Sequence, residues 1–66
     1  MEMSYLLYSI KMQGWMTRVG VYDSDWQNAA RFDRGEALAL VLRHRDQQRP
    51  VLIPVRAADI LEAFND

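Results

Sequence analysis

The stretch Asp33-Arg34-Gly35-Glu36, followed by Ala37-Leu38-Ala39-Leu40-Val41-Leu42, constrains this chain more than any other, because it joins a helix start to six consecutive apolar residues. An aspartate at the cap accepts hydrogen bonds from the free N–H groups of the first turn, and a glutamate three positions on reaches back to the cap N–H. Phe32, directly before the cap, is placed to staple that turn from outside. Gly35 costs up to about 1 kcal/mol relative to alanine, against strong helix formers behind it. Arg43, His44 and Arg45 suit the negative pole at the far end. The spacing predicts one long helix from about Arg34 to Asp46 or Gln47, stopped by Pro50, which pushes the residue before it out of the helical region. Its apolar arc covers about 200°, more than packing on one sheet face requires. A second helix or a second subunit is expected on the surplus.

Ser4 to Met12 and Trp15 to Tyr22 are both rich in β-prone residues, and Gln13-Gly14 between them predicts a hairpin with a two-residue turn. In that register Leu6, Tyr8, Ile10 and Met12 oppose Val21, Val19, Thr17 and Trp15 on an apolar face. Tyr5, Leu7, Ser9 and Lys11 oppose Tyr22, Gly20, Arg18 and Met16 on a mixed one. Asp23-Ser24-Asp25 then opens a short helical turn capped by Asp23 or Ser24, with Trp26, Ala29 or Ala30, and Phe32 folding over the end of the sheet. Val51 to Val55 reads as a third strand, at an edge or irregular, because Pro54 has no N–H to donate. Ala57 to Phe64 returns to helical spacing, with Ile60, Leu61 and Phe64 on one face. The fold class expected is α+β, a single domain over residues 1–66 in the order β-β-α-β-α, with Leu6, Ile10, Phe32, Leu38 and Val41 in one core.

A domain this small buries only about 60% of the surface its unfolded chain exposes. No cysteine is present to add a disulfide or a thiolate zinc site. Association is the remaining supplement, and a homodimer is expected on the sheet face left open, where Tyr5, Leu7, Met16 and Tyr22 lie. No apolar run approaches the roughly 20 residues of a membrane span, and Met1 to Tyr8 lacks the basic start of a signal peptide, so no membrane partner and a cytoplasmic location are expected.

The net charge of −1 conceals an uneven distribution. Residues 31–56 carry +3 and residues 57–66 carry −3. Arg43, Arg45 and Arg49, with Arg56 from the third strand, are candidates for a patch that binds phosphates or a protein; the same residues can instead pair internally with Asp59 or Glu62. Tyr5 and Tyr22, opposed on the mixed face beside Arg18, are candidates for an exposed aromatic anchor. His44 has no cysteine to join it and reads as a helix-end histidine against the dipole. Asp23-Ser24-Asp25 lacks the glycine and glutamate of a calcium loop, and the chain has neither a nucleophile elbow nor a glycine-rich phosphate loop. No enzymatic activity, cofactor or metal is expected.

The succession of a hairpin, Asp23-x-Asp25-Trp26-x-x-Ala29-x-x-Phe32, a capped Ala/Leu helix and a final strand resembles small accessory proteins of bacteriophages and mobile elements, of which anti-CRISPR inhibitors are the best characterised. The resemblance spans Tyr5 to about Val55. It implies a non-enzymatic protein that binds a host protein or ribonucleoprotein complex and blocks it, by occupying a nucleic-acid channel or by holding subunits apart. The weak net charge is unlike that of a DNA mimic. The alternative is a small nucleic-acid-binding or regulatory module using the arginines of residues 43–56.

Overall fold

The centre of the sheet is β1 (Tyr5–Ser9), which pairs antiparallel with both β2 (Gly14–Met16) and β4 (Leu52–Arg56), while β3 (Tyr22–Asp23) closes the far side on β2. The computed structural model describes residues 4–64, and in it the four-stranded sheet, order β3-β2-β1-β4, is covered on both faces. Helix α1 (Arg34–Asp46) takes one face; helix α2 (Ala57–Phe64) and a 3₁₀ turn (Trp26–Asn28) take the other. The class is α+β, as the sequence predicts, with one strand more than expected.

Successive strand side chains point to opposite faces. Leu7 accordingly joins Met16, Ala37 and Leu52, with Tyr5, Tyr22, Phe32, Leu40 and Val41 packed around them, under α1. Leu6 joins Ala57 and Ile60, with Trp15, Trp26, Ala29 and Val55, under α2. The single core expected around Leu6, Ile10 and Leu38 is therefore corrected. Leu6 faces the other helix, while Ile10 and Leu38 are 66% and 56% exposed. Helix α1 buries the stripe Ala37, Leu40, Val41 and His44, spaced i, i+3, i+4, i+7, and leaves Leu38 and Leu42 in water. The face of Tyr5, Leu7, Met16 and Tyr22, expected to be open for a second copy, is the face on which α1 lies.

The cap of α1 forms as predicted. The Asp33 carboxylate accepts the Glu36 N–H at 2.7 Å, and Glu36 Oε1 accepts the Asp33 N–H at 3.3 Å. Phe32 is fixed before it by exchanging two backbone hydrogen bonds with Tyr5, at 2.7 and 2.9 Å. At the other end Gln48 adopts the left-handed conformation, φ 55°, and its N–H donates to the Arg45 carbonyl at 3.2 Å. The Arg49 N–H donates to the His44 carbonyl at 2.8 Å, completing the two-bond helix stop usually built on glycine.

The hairpin register differs from the expected one. Tyr8 opposes Trp15 and Ser9 opposes Gly14, so the connection is the loop of residues 10–13 and not a two-residue turn. The hydroxyl of Ser9, fully buried, accepts the Met12 N–H at 3.1 Å, and Gln13 supplies the left-handed residue at φ 53°. Gly14 is needed inside the strand, because a Cβ there would stand 3.1 Å from the Asp23 carbonyl oxygen. The strand expected to run to Tyr22 breaks after Met16. Both the N–H and the hydroxyl of Thr17 donate to the Val21 carbonyl, at 2.9 and 3.0 Å, and Gly20 turns the chain at φ 85°. Tyr22 then pairs back on Met16, so Tyr5 and Tyr22 are not opposed; Tyr5 pairs with Arg56 and Phe32.

The 3₁₀ turn is capped by Asp25, which accepts the Gln27 N–H at 2.9 Å, and not by Asp23 or Ser24. Asp23 braces the turn by accepting from Asp25 N–H and Asn28 Nδ2 at 2.8 and 3.2 Å. Trp26 and Ala29 go with Leu6, whereas Phe32 crosses to the face of α1. Pro54 lies on an edge strand, as predicted. Since Tyr5 spends its N–H and C=O on Phe32, the even residues of β1 turn theirs toward β4, where Ile53 and Val55 meet them. Leu52, Pro54 and Arg56 are left facing the open edge, and the middle one has no N–H to offer another strand. The α2 element is observed where expected, with Ile60 buried; the Phe64 side chain lies outside the described residues. Among the described residues no helix is long and apolar enough to cross a membrane.

Candidate functional site

The helix stop at Gln48 throws Arg49 and Pro50 back against the end of α1, where His44 is 5% exposed. His44 Nδ1 lies 3.2 Å from the Pro50 carbonyl oxygen. That oxygen can only accept, so Nδ1 is the donor. The bond latches the α1–β4 connection to the helix.

Between this connection, the loop of residues 10–13 and the β2–β3 turn lies an open cleft of about 560 Å³. Met12, Met16, Tyr22, Phe32 and Leu40 line it together with His44, and Arg18 and Arg49 stand in its walls. A second groove of about 460 Å³ adjoins it, formed by Ile10, Pro50, Val51 and Ile53 with Lys11 and Arg49. Arg49 and Pro50 belong to both, so the two are lobes that meet at a ridge on this end of the sheet, the cleft on the α1 side and the groove on the side where Ile53 pairs with Tyr8. Ile10 and Val51 follow the last β1–β4 pair, Ser9 with Leu52, and present their side chains at 66% and 67% exposure.

The charges around this surface are unbalanced. Arg56 holds Asp59 through two bonds, Nε to Oδ2 at 2.9 Å and Nη2 to Oδ1 at 3.1 Å. The hydrogen bond and then the attraction of Asp59 push the Arg56 guanidinium further up from its ordinary pKa. This is the one ion pair among the described residues, which removes Arg56 from the basic patch expected of it and leaves Lys11, Arg18 and Arg49 without an acidic partner there.

The residues singled out from sequence thus divide. Arg18, Tyr22 and Arg49 come together in the cleft. Arg43 and Arg45 are exposed on the last turn of α1 but line neither lobe. Tyr5 lies apart, in a hollow of about 180 Å³ with Arg34, Ala37, Leu38 and Pro54. Sequence reasoning missed Ile10, Met12 and Val51 by assigning them to strands, and it read His44 as a helix-end residue against the dipole, without its burial. The i, i+3, i+4, i+7 series from Ala37 runs through His44 and would have placed it inside. Among the described residues no group of three or more His, Cys, Asp or Glu gathers as a metal site would require. No family model matches this chain, and no curated protein or solved structure is significantly similar to it.

Proposed function

We propose that this chain is a non-enzymatic protein-binding module that docks its two-lobed surface onto a larger host assembly in the cytoplasm and blocks it stoichiometrically. The observation that carries the reading is the clustering of exposed Ile10, Met12 and Val51 beside the uncompensated Lys11, Arg18 and Arg49. Contiguous apolar side chains left in water by a folded domain mark an interface, and arginine beside such a patch is a residue type enriched at interface centres. The manner of action follows the resemblance of the element order to anti-CRISPR inhibitors. Docking runs through side chains and not through added strands, because Pro54 blunts the β4 edge.

The test is affinity capture from nuclease-treated bacterial lysate, comparing the wild-type chain with the double variant Ile10→Ser, Val51→Ser. Both positions are exposed, so the variant should keep its melting temperature. One assembly recovered in near-stoichiometric amount by the wild type and depleted at least tenfold with the variant is the expected result. Equal recovery by both, or no recovery by either, overturns the proposal.

A further inference from the structure

We infer that the two lobes take a partner segment carrying an acidic side chain between two large apolar ones, the carboxylate meeting Arg49 on the ridge and one apolar side chain entering each lobe. The inference rests on the protein-binding reading and specifies the partner's chemistry.

Three features of the surface carry it. First, among the described residues no acidic side chain lines either lobe, while three cations do: Arg18 on the wall of the cleft, Lys11 at the groove, and Arg49 between them. Asp59 is held by Arg56, and Asp33 and Glu36 are held in the cap of α1. A guanidinium offers a planar fork that matches a carboxylate with two parallel bonds. Flanked by the apolar walls of the lobes, such a pair is shielded from water once they are filled, and its attraction is stronger there than on an open surface.

Second, the lobes suit side chains of different shape. The cleft is floored by Met16, Phe32, Tyr22 and Leu40, where unbranched methionine and flat rings adapt to an aromatic or leucine side chain. The groove is walled by branched Ile10, Val51 and Ile53, which suits an aliphatic one. Third, Arg49 is presented by a backbone held in place. The Gln48 N–H, the Arg49 N–H and His44 Nδ1 all close bonds across the same turn, so on binding only the Arg49 side chain and not its backbone has to be ordered. A nucleic acid would ask for cations in a continuous stripe tracking phosphates. Here the cations are separated by apolar side chains.

The experiment uses the full chain, immobilised, and a random dodecapeptide library displayed on phage. Selected peptides should carry aspartate or glutamate flanked by leucine, isoleucine, phenylalanine or tryptophan. A fluorescein-labelled synthetic copy of the dominant sequence should bind the wild type and weaken at least tenfold with Arg49→Glu. Exchanging the peptide's acidic residue for lysine should restore binding to Arg49→Glu. Arg49 is exposed and its side chain makes no bond among the described residues, so that variant should fold, and its thermal melt checks this. Selected peptides without acidic residues, an Arg49→Glu variant that binds the acidic peptide unchanged, or a library with no enrichment overturns the inference. So does competition by a short oligonucleotide with a steep salt dependence, or a chain mass that doubles with concentration while the peptide is excluded. If the captured assembly still depends on Ile10 and Val51 in any of these cases, the protein-binding reading stands and the acidic segment alone falls.

Discussion

Leu6 and Leu7 are consecutive in the chain, 2% and 0% exposed, and belong to two different cores. The peptide bond between them is the wall that separates α1 from α2. A strand buried on both faces carries a continuous apolar run in place of alternation, and Tyr5-Leu6-Leu7-Tyr8 is such a run. Dividing so small a chain's apolar residues between two thin layers leaves each layer, among the described residues, with a cluster of three or four buried side chains, so each one accounts for a large share of a marginal stability.

Truncating Leu7 tests this directly. Leu7→Ala removes the side chain that touches both sheet neighbours and α1, and the cost expected is about 2–5 kcal/mol, enough to unfold much of the population. Leu38→Ala removes a mostly exposed side chain and should change stability by no more than about 0.5 kcal/mol. Urea unfolding followed by circular dichroism reads both, and equal losses would mean that α1 presents a different face to the sheet.

Much of this architecture was legible in the residues themselves. Asp33 and Glu36 announced the start of α1 because their chemistry is local, acting across three residues, and Pro54 announced an edge because a missing N–H has one remedy in a sheet. What escaped was whatever depended on a distant partner. Gly14 looked like a turn residue, but its lack of a side chain is required by the approach of Asp23, nine positions away, a contact that exists only after the chain reverses at Gly20. Gln13 and Gln48 hold left-handed positions where glycine is the usual signal, so the four-residue loop carried no mark, and the end of α1 was marked by Pro50 alone. Of the site, Arg18, Tyr22 and Arg49 were identified, yet their meeting place was not, since it needs the β2–β3 turn and the end of α1 in one frame.

Gly14 has its own consequence. Gly14→Ala brings a Cβ to within 3.1 Å of backbone that belongs to a paired strand and cannot rotate away, so β3 must yield by a few tenths of an ångström against its pairing with β2. The expected cost is about 1–3 kcal/mol, as for overpacking in a core. Gly35→Ala is the control. Its added Cβ meets the Asp33 carboxylate at 3.5 Å, an ordinary contact, and the helix gains about 0.5–1 kcal/mol. Opposite shifts of the melting temperature in the two variants check the pair.

The helix stop provides a stabilising substitution. Gln48 holds φ 55° at the position where a Cβ is penalised, its side chain is exposed, and both backbone bonds of the motif survive in a glycine variant. Gln48→Gly should therefore raise stability by up to about 1 kcal/mol, after the added freedom of the unfolded chain is subtracted. A lower urea midpoint in Gln48→Gly would show that the glutamine side chain contributes at that turn.

The same turn predicts what happens when its side-chain latch is removed. His44→Phe keeps a ring of similar bulk under the α1–β4 connection and deletes the donor to the Pro50 carbonyl, 3.2 Å away in the wild type. An acceptor left unpaired in a half-buried setting costs about 1–3 kcal/mol unless water reaches it, and here the adjoining cleft lets water in, so the global loss should fall at the low end. The local effect is larger than the global one. The Gln48 and Arg49 amides, bonded to the Arg45 and His44 carbonyls, are held partly by that latch, whereas the Ala37 amide at the start of α1 is held by Asp33. Hydrogen exchange should accelerate at Gln48 and Arg49 by tenfold or more in His44→Phe and stay near its wild-type rate at Ala37. Equal acceleration at both ends of α1 would mean that His44 supports the helix as a whole, and that the presentation of Arg49 does not depend on the bond from His44 to Pro50.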